Sequence, residues 1–176
     1  NVGGYEGESD AGIVLLGNIK QENMDEYKSM FDELPVLFQE SALVDRIHGF
    51  IRGWDIPKMS DDLKVSGWAL NSEYFCSIMH MLRDDVSYRN IVNQIVKCSD
   101  NAYVRHTEAV KRIATAYLKL LFPNVRSVDD LDLKAFERYC LRPAINMRKI
   151  IWRQLSLLDD EYKNEDKQMP EFSVRK

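Results

Sequence analysis

From Pro57 onward almost every stretch of this chain repeats its apolar residues at intervals of three and four, and that periodicity admits little besides a stack of helices. Tyr74, Phe75, Ile78, Met81 and Leu82 make one short amphipathic segment; Ile91, Ile95 and Val96 make a second. The strongest stripe is Val110, Ile113, Ala114, Tyr117, Leu118 and Leu121. Pro123 ends it, having no N–H to continue the ladder, and Arg105, His106, Thr107 and Glu108 fall in its first turn. Two further helices fit Asp132 to Leu141 and Ala144 to Leu158. Pro143 opens the latter, which carries Met147, Ile150, Ile151, Leu155 and Leu158 on one side. The charged remainder, 159–176, reads as a linker or tail.

Before Pro57 the pattern is different. Gly12-Ile13-Val14-Leu15-Leu16 is a continuous apolar run of the kind buried on both faces of a parallel sheet. It stops at Gly17-Asn18, which places Asn18 where α/β folds hold ligands, at the carboxyl end of a strand; the same dipeptide also makes an inexpensive turn. Leu34 to Arg46 mixes apolar residues at helical spacing, and Ile47 to Ile51 is short and β-prone, closed by Gly53-Trp54-Asp55-Ile56-Pro57. The expected fold class is therefore mainly α, with a partial α/β core of short strands followed by a helical bundle and C-terminal helices. A lone strand leaves both edges unpaired. The opening Asn1-Val-Gly-Gly-Tyr-Glu-Gly-Glu also lacks a methionine, so the stretch reads as part of something longer.

Length and charge narrow the function classes. The chain's 176 residues suffice for one domain or two small ones. Lys+Arg 24 against Asp+Glu 28 gives a net charge of -4, so the whole molecule has no electrostatic case for wrapping nucleic acid. A local basic face remains: Arg138, Arg142, Arg148, Lys149 and Arg153 decorate the last two helices, either touching DNA phosphates or forming the solvated side of those helices. The three cysteines, Cys76, Cys98 and Cys140, have no CxxC spacing and read as reduced thiols of a cytoplasmic protein. His48, His80 and His106 are too isolated for a metal site. No run reaches the length of a membrane span, and the N-terminus lacks a signal-peptide pattern. Trp54 and Trp68 read as packing anchors between subdomains.

Three stretches carry a resemblance. "IVLLGNI", "LFQESALVDRIHGFIRGWDIPKM" and "RHTEAVKRIATAYLKLLFP" resemble the AAA+ region of Lon-related ATPases, specifically the Lon-like proteins of BREX phage-defence systems. The similarity runs roughly from Gly12 to Pro123. It implies a distal α/β nucleotide-binding subdomain over 1–57, a helical lid over 58–125, a helical extension over 126–158 and a linker or tail over 159–176. Asn18 matches the sensor that orients the attacking water beside the γ-phosphate of ATP. Arg46 of "VDRI" matches the arginine finger that reaches into the neighbouring subunit's nucleotide. Arg105 matches the second sensor, on the lid, with Arg112 as the fallback; the glycine that usually precedes this arginine pair is absent.

The resemblance thus implies ATP with Mg²⁺, and neighbouring subunits in a homo-oligomeric ring. The chain has no GxxxxGK[ST] phosphate loop and no apolar strand ending in paired acids, so by itself it is not expected to hydrolyse ATP. Those parts are expected upstream, and a Lon-type protease domain downstream. Bland readings stand beside each assignment: Asp45 and Arg46 as a local ion pair at a helix end, and Arg105 as a solvated first-turn residue. The rival for the whole chain is a self-contained helical interaction or DNA-binding module without nucleotide chemistry, its first strand pairing with Ile47 to Ile51 as a β-hairpin.

Overall fold

The computed structural model describes residues 12–100 and 102–175. The opening Asn1-Val-Gly-Gly-Tyr-Glu-Gly-Glu lies outside the described residues, as do Asn101 and Lys176. The described chain is mainly helical with a few short strands. In order it forms α1 (Ser41–Val44), α2 (Ser72–Arg83), α3 (Ser87–Ile95), β1 (Val96–Cys98), α4 (Val104–Leu121), α5 (Leu133–Phe136), α6 (Arg142–Leu158) and β2 (Phe172–Val174), with single 3-10 turns between them.

Two of the helices, α2 and α5, start where side chains supply caps. Asn71 accepts from the Tyr74 amide at 3.0 Å at the head of α2, and Asp132 accepts from the Lys134 and Ala135 amides at 2.9 and 3.3 Å at the head of α5. One wide π turn, Glu137–Leu141, joins α5 to α6. It lies just before Pro143, whose ring cannot donate to the ladder.

The main core gathers α3, α4, the π turn and the start of α6 around Tyr88, Val92, Val110, Leu118, Phe136, Leu141 and Ala144, all essentially fully buried. A second, smaller cluster seats Phe31 and Val44 on the far half of α6, against Ile151, Leu155 and Tyr162. Helix α6 therefore belongs to both. Gln154 pins the N-terminal segment to it: its amide oxygen accepts from the Met30 amide at 2.8 Å, and its nitrogen donates to the Glu26 and Lys28 carbonyls at 3.0 and 2.9 Å. Both polar atoms of the Gln154 amide are thus partnered, which is the condition for a polar group in a core.

Several expectations require correction. Ile13 to Leu16 is not a strand: its residues pair with nothing among the described ones and stand 84, 84, 54 and 96% exposed. A strand exists only by exchanging backbone hydrogen bonds with a neighbour, and none of the described residues supplies one. Ile47 to Ile51 is likewise irregular, so the proposed hairpin does not form. The stretch read as a helix from Leu34 to Arg46 is broken into a 3-10 turn, Val36–Gln39, and the single turn of α1. Trp54 packs at 6.2 Å on Phe50, whereas Trp68 is fully exposed and anchors nothing.

The tail is folded in rather than loose. β2 pairs antiparallel with β1 in the register Val96 with Val174, Lys97 with Ser173 and Cys98 with Phe172. The Arg175 amide extends the pairing to the Ile95 carbonyl at 2.7 Å, and Tyr162 is buried against α6. The sequence hides this, because the strands are three residues each and far apart.

Candidate functional site

The buried charge of this molecule converges on Asp45, the residue before Arg46. Asp45 ends the single turn of α1 with its carboxylate turned inward and fully buried. Tyr103, at the head of α4, donates its hydroxyl to Oδ2 at 2.8 Å, and Arg105 donates to the same oxygen. Arg148, from the middle of α6, donates Nη2 to Oδ1 at 2.8 Å. Burial by itself pushes the Asp45 carboxyl up, but the hydrogen bonds from Arg105 and Tyr103, and then the charge of Arg148, hold it below the usual carboxylate range.

Arg148 is the second pivot, and its side chain is 0% exposed. Nη1 donates to the carbonyls of Asp45 and Ile47 at 3.1 and 2.5 Å. Nε donates to Nδ1 of His106 at 2.9 Å. Burial pulls its affinity for the proton down, with the Asp45 carboxylate opposing; a guanidinium nevertheless stays charged. Because Arg148 can only donate, Nδ1 of His106 must accept. The His106 proton therefore sits on Nε2, which donates to the Lys167 carbonyl at 3.1 Å. Burial first, then the Arg148 charge, pushes the imidazole down to about 4, so it is neutral at physiological pH. A fully buried charge with every guanidinium nitrogen bonded and a carboxylate against it meets the conditions for a stable buried ion pair.

The Asp45 and Arg148 clamp thus ties the α1 turn, α4, α6 and the tail together, and it leaves Arg46 outside. Arg46 is exposed; it donates to the Ala42 carbonyl one turn back and has no carboxylate partner among the described residues. The local Asp45–Arg46 ion pair is therefore not what forms: Asp45 bonds Arg105 and Arg148 instead.

The other sequence candidates fall as follows. Asn18 is exposed, but on an irregular segment rather than at a strand end. Arg105 is engaged by the buried carboxylate of Asp45, which raises its hold on its proton, so it is not the free solvated residue of the bland reading. Arg112 donates to Nε2 of His48 at 3.3 Å and lies 3.9 Å from Glu108. Arg105 and Arg112 both reach from α4 to the 45–48 segment, so the structure brings them near Arg46; no contact links Asn18 to this group.

The basic face also changes. Arg148 is buried and leaves it. Arg142 pairs with Glu137 at 2.9 Å. Arg153 pairs with Glu26 and lies over the Tyr27 ring at 4.6 Å. Among the described residues no group of His, Cys, Asp and Glu is arranged to hold a metal, and no helix is long and apolar enough to cross a membrane. All three cysteines are free.

The sequence by itself puts Asp45 in a local ion pair with Arg46, Arg148 on a basic face and His106 among the isolated histidines, and it does not single out Tyr103; the joint site of these four was missed. The signal was present: Ala144, Arg148, Ile151 and Leu155 recur at four, three and four, and His106, Val110, Ala114 and Leu118 at four throughout, so both polar residues sit on core stripes. A charge on such a stripe demands a buried partner.

Comparison with known proteins gives the family. The chain is 29% identical over 153 residues to the Lon-like protease BrxL of Escherichia coli O9:H4 (strain HS), covering 86% of this chain and 21% of the relative. It is 26% identical over 176 aligned positions to the Lon-like protease BrxL of Bacillus cereus (strain H3081.97), covering 93% of this chain and 26% of the relative. The chain thus spans about a quarter of the length of these curated relatives. The family described as Lon-like protease BrxL-like, ATPase domain, matches residues 1–168, nearly the whole chain, and the chain belongs to that family.

Proposed function

We propose that this chain is the distal part of an ATPase module that works in a ring of like subunits, with Arg46 acting on the nucleotide of the neighbouring subunit. The observation that carries this reading is the setting of Arg46: its guanidinium is exposed and unneutralised, while Asp45 and Ile47 on either side are bound into the interior. A finger for a phosphoryl group needs a permanent charge, a planar fork of donors and a fixed base.

ATP with Mg²⁺ supplies the phosphoryl group and the metal that draws charge from it; the phosphate loop and metal ligands are not in this sequence. What this chain contributes is positioning. Asn18 offers an amide able to orient water, once the Ile13 to Leu16 run is seated in a sheet, and the exposure of that run supports such a partner. Arg105 is the lid sensor, resting on Asp45 and released from it when the lid closes on nucleotide; Arg112 is its fallback. The division into an α/β part to residue 57, a lid to 125, an extension to 158 and a final segment belongs to the same reading. A cytoplasmic place in BREX phage defence follows from the family resemblance. DNA contact by the last helices would rest on Arg138 and Lys149, the two of that face without a carboxylate partner among the described residues.

The test is the ATPase rate of the intact protein carrying this chain, wild type against Arg46→Ala, with nucleotide binding followed in parallel. Loss of roughly 10³- to 10⁵-fold in rate with binding retained is expected of an arginine finger. An unchanged rate overturns the reading.

A further inference from the structure

We propose that Arg148 is a positioning residue for Arg46: it sets the finger's backbone from helix α6, and so couples the C-terminal helix to hydrolysis in the neighbouring subunit. This rests on the reading of Arg46 as the finger. One guanidinium, 0% exposed, donates from a single nitrogen to the Asp45 and Ile47 carbonyls at 3.1 and 2.5 Å, the two residues that bracket Arg46. Its second nitrogen holds the Asp45 carboxylate at 2.8 Å, and its third faces His106 of α4 at 2.9 Å. The peptide unit before Arg46 and the one after Ile47 are therefore tied to one rigid plane, and that plane is fixed from a third helix.

The chemistry makes this geometry consequential. A finger acts only where charge develops, and a displacement of about 1 Å costs on the order of 10²-fold in rate. No other side chain can take the place of Arg148. A lysine ammonium keeps the charge but presents its donors from one point, and cannot reach two carbonyls, a carboxylate and an imidazole nitrogen spread around the edge of a plane.

In the intact protein, Arg148→Lys is expected to lower kcat by roughly 10²-fold with KM for ATP nearly unchanged, since a finger acts on charge that develops in the transition state rather than on ground-state binding. The decisive comparison is the double variant. Arg148→Lys is expected to lower the rate no further in an Arg46→Ala background, because its effect passes through Arg46. Equal losses in both backgrounds would show a merely structural role and overturn the proposal. Thermal unfolding of each variant establishes that it is folded. Should Arg148→Lys not fold, Asp45→Asn carries the same test: it keeps the shape, loosens the hold on Arg148, and is expected to show a smaller loss, about 10-fold, again absent in the Arg46→Ala background. The single and double variants separate the two claims. If Arg46→Ala is without effect, the finger reading itself fails; if Arg46→Ala is inactive but Arg148→Lys is additive with it, only the positioning role fails.

Discussion

At the scale of residues, the unusual group is His106, a neutral imidazole enclosed between a guanidinium and a backbone carbonyl. Its pKa of about 4 lies below the unfolded value of 6.5. Between those two values the unfolded chain binds the proton and the folded one does not, so stability rises with pH across that window. The contribution is complete above about pH 6.5, is lost as pH falls toward 4, and amounts to on the order of 3 kcal/mol. Asp45, also depressed, adds stability that is lost only further down, as pH falls below the ordinary carboxylate value of 3.8. Denaturant unfolding measured from pH 8 to pH 4 should show this decline, and His106→Gln should flatten it, because an amide can accept from Arg148 without titrating. A wild-type profile that is flat over the window would contradict the neutral, fixed tautomer.

At the scale of elements, α4 and α6 are held by side chains that reach across chain ends. Lys119 of α4 donates to the Leu82 and Arg83 carbonyls at 2.5 and 2.8 Å, capping the negative end of α2. Tyr88 of α3 donates to the Pro123 carbonyl at 2.5 Å, just past the end of α4. The segment after α1 crosses α6 very closely: the Phe50 amide reaches the Met147 carbonyl at 3.2 Å. A Cβ at Gly49 would lie 2.9 Å from Met147 Cβ and 3.0 Å from Ile113 Cδ1. Gly49→Ala must therefore move α6 or the segment. We expect a loss of about 1–3 kcal/mol, read by chemical unfolding. A neutral result would mean that the crossing is looser than its distances state. The helices themselves were legible, since α2, α3, α4 and α6 follow their apolar stripes. The crossing was not, because a glycine in an irregular segment carries no periodic signal.

At the scale of the whole molecule, the chain is two clusters strung on α6 and closed by its own tail. The Lys167 carbonyl is the acceptor for His106, and Tyr162 covers the second cluster. Cutting the chain after residue 163 removes that carbonyl and β2 together. A buried imidazole N–H left without a partner costs about 1–3 kcal/mol, and the loss of the Val96 pairing adds to it. The melting temperature should fall by at least roughly 2–4 °C per kcal/mol lost. An unchanged midpoint would mean the tail is the loose linker that its composition suggests. The surface carries the opposite feature, apolar groups with nothing on them: Leu16 is 96% and Trp68 103% exposed.

What the sequence determined by itself is local. Helical stripes, the stop at Pro123 and the start at Pro143 all depend on residues within a few positions of one another, and they stand as read. The family resemblance was also legible, through words such as "VDRI" that no periodicity explains. Tertiary structure alone decided what is made between distant residues. Asp45 and Arg148 are 103 positions apart, and only the packing of α1 on α6 reveals that the aspartate of "VDRI" faces inward and its arginine outward. The same holds for strands: Phe172–Val174 found an edge at Val96–Cys98, whereas Ile13 to Leu16, far more apolar, found none among the described residues. A helix satisfies its hydrogen bonds within itself, while a strand and a buried charge exist only through their partners.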